Sequence, residues 1–157
     1  MNYTNACAIF GENPDELEFG YDEEYYTCSK MKLRLVLNMQ KAITNGCDCF
    51  MSTVEQGAAM WGAEACAAMK ASGTDVGLVS VPTSETQAVR WHPERRERYY
   101  NVLEASDDVV ERTEELDAVE YILEHISCAI VLGGTDNPRL SALIDRAREK
   151  GVEIIAL

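Results

Sequence analysis

The sequence predicts a Rossmann-like three-layer α/β/α sandwich with a mostly parallel sheet of about six strands. Two observations carry that expectation. Short apolar runs alternate with longer amphipathic ones along the chain, the signature of successive βαβ units. The apolar runs are near-continuous, as in CAIVLGG, which suits strands covered by helices on both faces. The 157 residues match the usual size of one domain, so a single domain over 1–157 is expected.

The elements follow in order. ACAIFG (6–11) reads as the first strand, and the acidic stretch 12–28 as a loop. Residues 29–46 read as a helix, with Ser29 as its cap and Asn45-Gly46 as its stop. CDCFMST (47–53) is the second strand, GAAMWGAEACAAMKAS (57–72) the second helix, and DVGLVSVP (75–82) the third strand, stopped by Pro82. After a polar loop, Pro93 opens a helix over 93–106. A short strand is expected at 107–113 and a helix at 115–127. CAIVLGG (128–134) is the fifth strand, 137–151 a helix with Pro138 in its first turn, and VEIIAL (152–157) the last strand. Crossovers between such strands are right-handed.

Composition narrows the function. The net charge of −13 repels nucleic-acid phosphates and anionic membranes. The densest basic run, RWHPERRER, is broken by Glu94 and Glu97, so direct nucleic-acid binding is disfavoured. No apolar stretch is long enough to span a bilayer. The first residues carry no basic region of the kind that opens a secretory leader, and a cytoplasmic location is expected. The six cysteines lie in apolar strand-like runs, in an Ala-rich helix, or at the end of the acidic loop. They read as reduced, buried thiols. Cys47 and Cys49 form a Cys-x-Cys pair, but no second pair stands at zinc-site spacing. No metal and no redox cofactor is expected.

In folds of this class ligands sit at the C-terminal ends of the strands. That rule collects Gly11, Glu12 and Asn13 after strand one, Ser52 to Gly57 after strand two, the loop with Gln87 and Trp91 after strand three, and Gly133, Gly134 and Thr135 after strand five. Glycines there let backbone approach a ligand, and helix N-termini offer free N–H groups to an anion. The turn between Ser52 and Gly57 has the place of a phosphate cradle but carries Glu55 and no Lys or Arg. No G-x-S-x-G elbow, Walker loop or G-x-G-x-x-G is present.

These stretches together resemble the SLOG superfamily, the Rossmann-like group that includes the DprA and LOG proteins, and most closely its YpsA-like branch. In the family's F-T-G-H-R-P segment, Gly11 and Pro14 match, while Glu12 and Asn13 replace histidine and arginine. In S-G-x-x-x-G-x-D-x-W-A-A-E, Ser52, Gly57, Trp61, Ala63 and Glu64 match, whereas Thr53 and Ala59 stand for glycine and aspartate. Gln87 and Trp91 fit the family's Q-x-x-x-W, Arg98-Tyr99 fit the following helix, and Gly133-Gly134-Thr135 keep the G-G-T turn. The LOG loop P-G-G-x-G-T-x-x-E is incomplete, which argues against phosphoribohydrolase chemistry. The missing arginine removes a bidentate phosphate partner, and Glu12 adds repulsion.

The resemblance implies a nucleotide-derived small molecule bound by Gly11, Glu12, Asn13, Ser52, Thr53, Glu55, Gly57, Glu64, Gln87, Trp91, Gly133, Gly134 and Thr135. Three readings fit: a non-catalytic binder or sensor of that molecule; an enzyme acting on a nucleotide or nucleoside with Glu12, Glu55 or Glu64 as acid and base; and a homo-oligomer with a vestigial pocket, assembled through the Ala-rich helix 57–72. Trp61 reads as a core residue. Trp91 reads equally as a base-stacking lid and as a loop anchor.

Overall fold

A computed structural model of the chain describes residues 3–111, 117–134 and 136–157. Its elements run β1 (Ala6–Gly11), a 3-10 turn (Pro14–Glu16), α1 (Tyr26–Thr44), β2 (Cys49–Ser52), α2 (Ala58–Ala71), β3 (Gly77–Ser80), α3 (Pro93–Ala105), β4 (Asp108–Val109), α4 (Ala118–His125), β5 (Cys128–Leu132), α5 (Pro138–Glu149) and β6 (Glu153–Ala156). The six strands form one sheet in the order β4-β3-β2-β1-β5-β6, and every neighbouring pair is parallel. The expected Rossmann-like α/β architecture is the one observed.

Strand alternation divides the core in two. Cys7, Ile9, Phe50, Leu78, Ile130 and Leu132 point to the face covered by α1, α2 and α3. Ala8, Phe10, Met51, Val79, Ala129 and Val131 point to the face covered by α4 and α5. This division follows from right-handed crossovers. The chain first steps outward from β1 through β2 and β3 to β4, then returns to β5 and steps the other way to β6. Reversing the direction of travel moves the helices to the opposite face.

The helix signals mostly act as their chemistry dictates. Pro93 and Pro138 occupy first turns. Asn137 caps α5, its side chain accepting from the Arg139 and Leu140 N–H groups at 3.0 and 3.3 Å. Asp117 caps α4 through the Glu120 N–H. The start of α1 differs from expectation. The helix begins at Tyr26, and Ser29 lies exposed within its first turns rather than capping it. The Tyr25 carbonyl accepts from the N–H groups of Cys28 and Ser29, while the fully buried Cys28 anchors this turn to the core. Burial of one thiol therefore extends the helix past its best capping residue. β4 is also shorter than the expected 107–113, with only Asp108 and Val109 paired to β3; residues 112 and 113 of that stretch lie outside the described residues.

The Ala-rich helix α2 packs within its own chain. Ala58, Ala59, Met60, Trp61, Gly62, Ala63 and Cys66 are buried, and α2 lies against β1, β2, β3, α1 and α3. Large exposed apolar side chains lie instead on α1, at Tyr26, Leu33 and Leu37. No helix among the described residues is long and apolar enough to cross a membrane.

Gly57 fixes how α2 enters the sheet. Its φ of +96° belongs to the region that disfavours side chains, and a Cβ there would collide with the carbonyl oxygen of Glu12 and lie 3.1 Å from the Asn13 Cα. Gly73 has the same φ class, +95°, but a Cβ there would meet nothing within 4 Å. Gly73→Ala is therefore expected to cost about 1 kcal/mol from backbone strain alone, and Gly57→Ala roughly 3 kcal/mol from strain plus collision. Urea unfolding of the two variants beside wild type measures the difference. Equal costs would mean that the end of β1 yields without penalty.

Candidate functional site

β1 and β5 are adjacent in the sheet, yet the chain leaves them toward opposite edges. Their C-terminal ends form the topological switch point, where folds of this kind open a crevice for ligands. Here the crevice is bridged by Glu12. Its N–H donates to the Leu132 carbonyl at 3.0 Å, and its carbonyl accepts from Ala58 N–H at 3.2 Å. Its carboxylate Oε1 accepts from the Gly134 N–H at 2.9 Å. One residue thus joins β1, β5 and the start of α2.

The glycines make this convergence possible. Gly133 has φ +149°, and a Cβ there would lie 2.5 Å from the Glu12 Cγ. A Cβ on Gly11 would lie 2.5 Å from the Leu132 carbonyl oxygen and collide with the Ala58 Cβ. These positions bring the chain close to itself, where the sequence suggested an approach to a ligand. Arg139, in the first turn of α5, donates to the Gly11 carbonyl at 2.7 Å and forms a fork with both oxygens of Glu16 at 2.5 and 3.1 Å. Glu16 also accepts from the Asn13 N–H at 2.9 Å and from the Asn137 amide at 3.0 Å. The Arg139 fork, only partly opposed by burial, lowers the Glu16 carboxyl from 4.5 to about 2.

The turn after β2 is equally occupied by internal bonds. Ser52 is fully buried; its hydroxyl donates to the Ala59 carbonyl at 2.8 Å and accepts from the Val54 N–H at 3.0 Å. Thr53 Oγ1 donates to Glu55 Oε1 at 2.9 Å. Val54 has φ +57°, an unusual and strained value for a β-branched residue. Its complete burial and the Ser52 bond hold it there. Gln87 spans two loops: Oε1 accepts from Thr83 N–H and Oγ1 at 2.6 and 2.9 Å, and Nε2 donates to the Thr53 carbonyl at 3.1 Å.

Glu64 and Trp91 lie elsewhere. Glu64, two turns into α2, accepts from Arg98 of α3 at 2.6 and 3.0 Å. Arg98 also donates to both oxygens of Glu23 at 2.5 and 3.0 Å. Lys32 and Arg95 reach Glu23 at 2.6 and 3.1 Å, so three cations converge on one carboxylate of the loop before α1. Glu23, Lys32, Glu64 and Arg98, with Leu35, Val36, Trp61 and Ala65, line an open cleft of about 470 Å³ between α1, α2 and α3. Burial raises the Glu23 carboxyl, but Arg98 and Lys32 outweigh it and hold the group at about 2. Trp61 is buried, with Phe19 stacked on it at 6.3 Å and the Lys32 ammonium 5.6 Å from its ring centre. Trp91 is packed edge-on against Tyr99 at 5.3 Å and rests on the core, the geometry of a loop anchor.

Among the sequence-derived residues, Gly11, Glu12, Gly57, Gly133 and Gly134 converge at the switch point. Asn13 lies beside them on the Glu16–Arg139 lock. Ser52, Thr53, Glu55 and Gln87 form the neighbouring turn. Thr135 lies outside the described residues. Sequence reasoning missed Glu16, Glu23, Lys32 and Arg139. The Asn13-x-x-Glu16 spacing is a capping-box signal, whereas the Glu23 cluster joins residues up to 75 positions apart and has no local signature.

A parallel sheet with three helices on one face, two on the other and a glycine-lined switch point defines a Rossmann-like α/β protein. The model of the YspA SLOG family matches residues 7–139, and the chain belongs to that family. No curated protein matches it.

The lowered carboxyls of Glu16 and Glu23 contribute to an acid limit. A folded-state value below the ordinary 4.5 means that the group stabilises the fold fully above that pH and loses the contribution as pH falls toward about 2. The urea midpoint of wild type is expected to drop across this interval. Glu16→Gln/Glu23→Gln should start lower at neutral pH and show a flatter decline. Parallel curves for the two proteins would refute the assignment.

Proposed function

We propose that this SLOG protein is a non-catalytic binder or sensor of a nucleotide-derived small molecule at the C-terminal edge of the sheet. One observation carries the reading: the Gly134 N–H at the switch point already holds an oxyanion, the carboxylate of Glu12. A backbone donor aimed into the crevice between β1 and β5 suits a ligand's phosphate or carboxylate oxygen. Glu12 takes that place when the ligand is away, and binding requires its side chain to rotate out.

The arrangement of acids supports binding without turnover. Glu12 is bonded to Gly134, Glu55 faces Thr53, and Glu64 is paired with Arg98 in the α1–α2–α3 cleft. General acid–base catalysis needs a group positioned on the proton that it moves, and each of these three is engaged by a partner within the chain. The charge of −13 favours a small ligand over a nucleic acid.

Calorimetric titration with nucleoside mono- and diphosphates tests the proposal in wild type, Glu12→Ala and Glu12→Gln. Removing a competing internal oxyanion is expected to tighten phosphate-bearing ligands about tenfold in Glu12→Ala, roughly 1.4 kcal/mol. Glu12→Gln, which keeps an acceptor for Gly134 but drops the charge, should fall between. Absence of binding in all three proteins, each folded by circular dichroism, would overturn the reading.

A further inference from the structure

The open cleft between α1, α2 and α3 is lined by residues of those helices and of the loop before α1, and by none from the strand ends. Leu35, Val36, Trp61 and Ala65 form its apolar floor, with Lys32, Glu64 and Arg98 beside them. Its volume of about 470 Å³ falls in the range of small-molecule sites.

Charge singles this cleft out. The chain carries −13, yet here three cations, Lys32, Arg95 and Arg98, converge on two carboxylates, Glu23 and Glu64. The cluster therefore keeps a surplus positive charge. Among the described residues Lys32 gives one hydrogen bond, to Glu23 at 2.6 Å, although an ammonium has three donors. Its side chain is 37% exposed, so a further acceptor can reach it from solvent.

The loop at 17–25 shows what this wall accepts. It lays the Phe19 ring on Trp61 and the Glu23 carboxylate on Lys32, Arg95 and Arg98, a ring and an anion presented together. Side chains supply most of that hold. Among the described residues the loop's backbone bonds are local, with Gly20 N–H donating to Leu17, Asp22 to Phe19 and Tyr25 to Asp22. Only Arg95, which donates to the Tyr21 carbonyl at 2.6 Å, ties that backbone to a distant element. Glu23 can leave its cations without breaking a strand or a helix.

A buried acceptor stands ready for a cation that Glu23 releases. Gln56 Oε1 is buried and has no donor among the described residues, and Gln56 lines a small cavity together with Glu23, Arg95 and Arg98. A buried acceptor left unpaired is costly, and a freed guanidinium is a strong donor for it.

We propose that the cleft is a second ligand site, separate from the strand-end crevice, for a small aromatic anion. Its carboxylate or phosphate takes Lys32 and Arg98 from Glu23, and its ring lies on Trp61 and the aliphatic floor. Arg95, losing the same carboxylate, turns to Gln56. The loop at 17–25 loses its charged fastening, so occupancy of the cleft loosens it.

The test follows backbone and indole N–H signals of the full chain by NMR while phenyl phosphate or benzoate is added, the two arms separating phosphate from carboxylate. Trp91→Phe leaves one indole and so assigns Trp61. The expected result is a saturable shift of the Trp61 indole and of the amides of 17–25 with at least one probe. Inorganic phosphate and acetate, which lack the ring, should bind about tenfold more weakly. Lys32→Met should weaken the aromatic probe about tenfold, and Glu23→Gln should tighten it by a similar factor. The wild-type map decides even where a variant fails to fold. No saturable shift, shifts confined to the Gly134 turn, equal affinity for the ringless anions, or wild-type affinity in Lys32→Met would each overturn the proposal.

Discussion

Glu12 is the residue on which the C-terminal edge of the sheet depends. Three elements end or begin within reach of it, and each brings a backbone group that needs a partner. Glu12 supplies its N–H to Leu132, its carbonyl to Ala58 and its carboxylate to Gly134. Unpaired buried polar groups cost about 1–3 kcal/mol each, so one residue in this position replaces several ordered waters or a ligand. The close approach it demands explains why Gly11, Gly57 and Gly133 carry no side chain. Strain in the adjacent turn, concentrated at Val54, is tolerated because Ser52 and the surrounding core fix that turn on both sides.

A second organising centre holds the helical layer. Arg98 bonds Glu23 and Glu64 at once, and Lys32 and Arg95 complete the charge balance around Glu23. These groups are only partly exposed, so solvent screens them less than it screens surface pairs. The loop before α1 is thereby fastened over α2 and α3, with Phe19 on Trp61 and Arg95 over Tyr21 adding aromatic contacts. The two centres lie at different places, which separates the switch point from the cleft that carries Glu64.

The architecture was legible because it rests on patterns that are local. Near-continuous apolar runs mark the strands, and Pro93 and Pro138 mark helix starts through the chemistry of their own side chains. Ser29 misled because capping competes with burial, and the buried Cys28 won. At the site, the sequence brought the right glycines to the right edge but left their purpose open between approach to a ligand and approach to the chain. Charge alone marked Glu12 as hostile to phosphate. Only the fold shows that this carboxylate already occupies a backbone donor. Glu64 followed the family motif, yet α2 carries it two turns away from the strand ends, a displacement set by helix rise. The partners Glu23 and Arg98 become neighbours only through tertiary packing, which no spacing rule records.

The central pairing of the sheet also bears on how the chain reaches its structure. β2, β3 and β4 each pair with the strand before them in sequence, through crossovers of moderate length. β5 must instead find β1 from far along the chain, Cys7 opposite Cys128. Loop closure over that distance is the most entropically demanding step in the sheet, although the penalty grows only with the logarithm of loop length. Long-range pairing of this kind slows folding relative to local contacts. The pairing of β1 with β5 that forms the switch point is also the one that joins the two halves of the sheet, so the layer of α4 and α5 hangs on the strand contact with the widest separation in sequence.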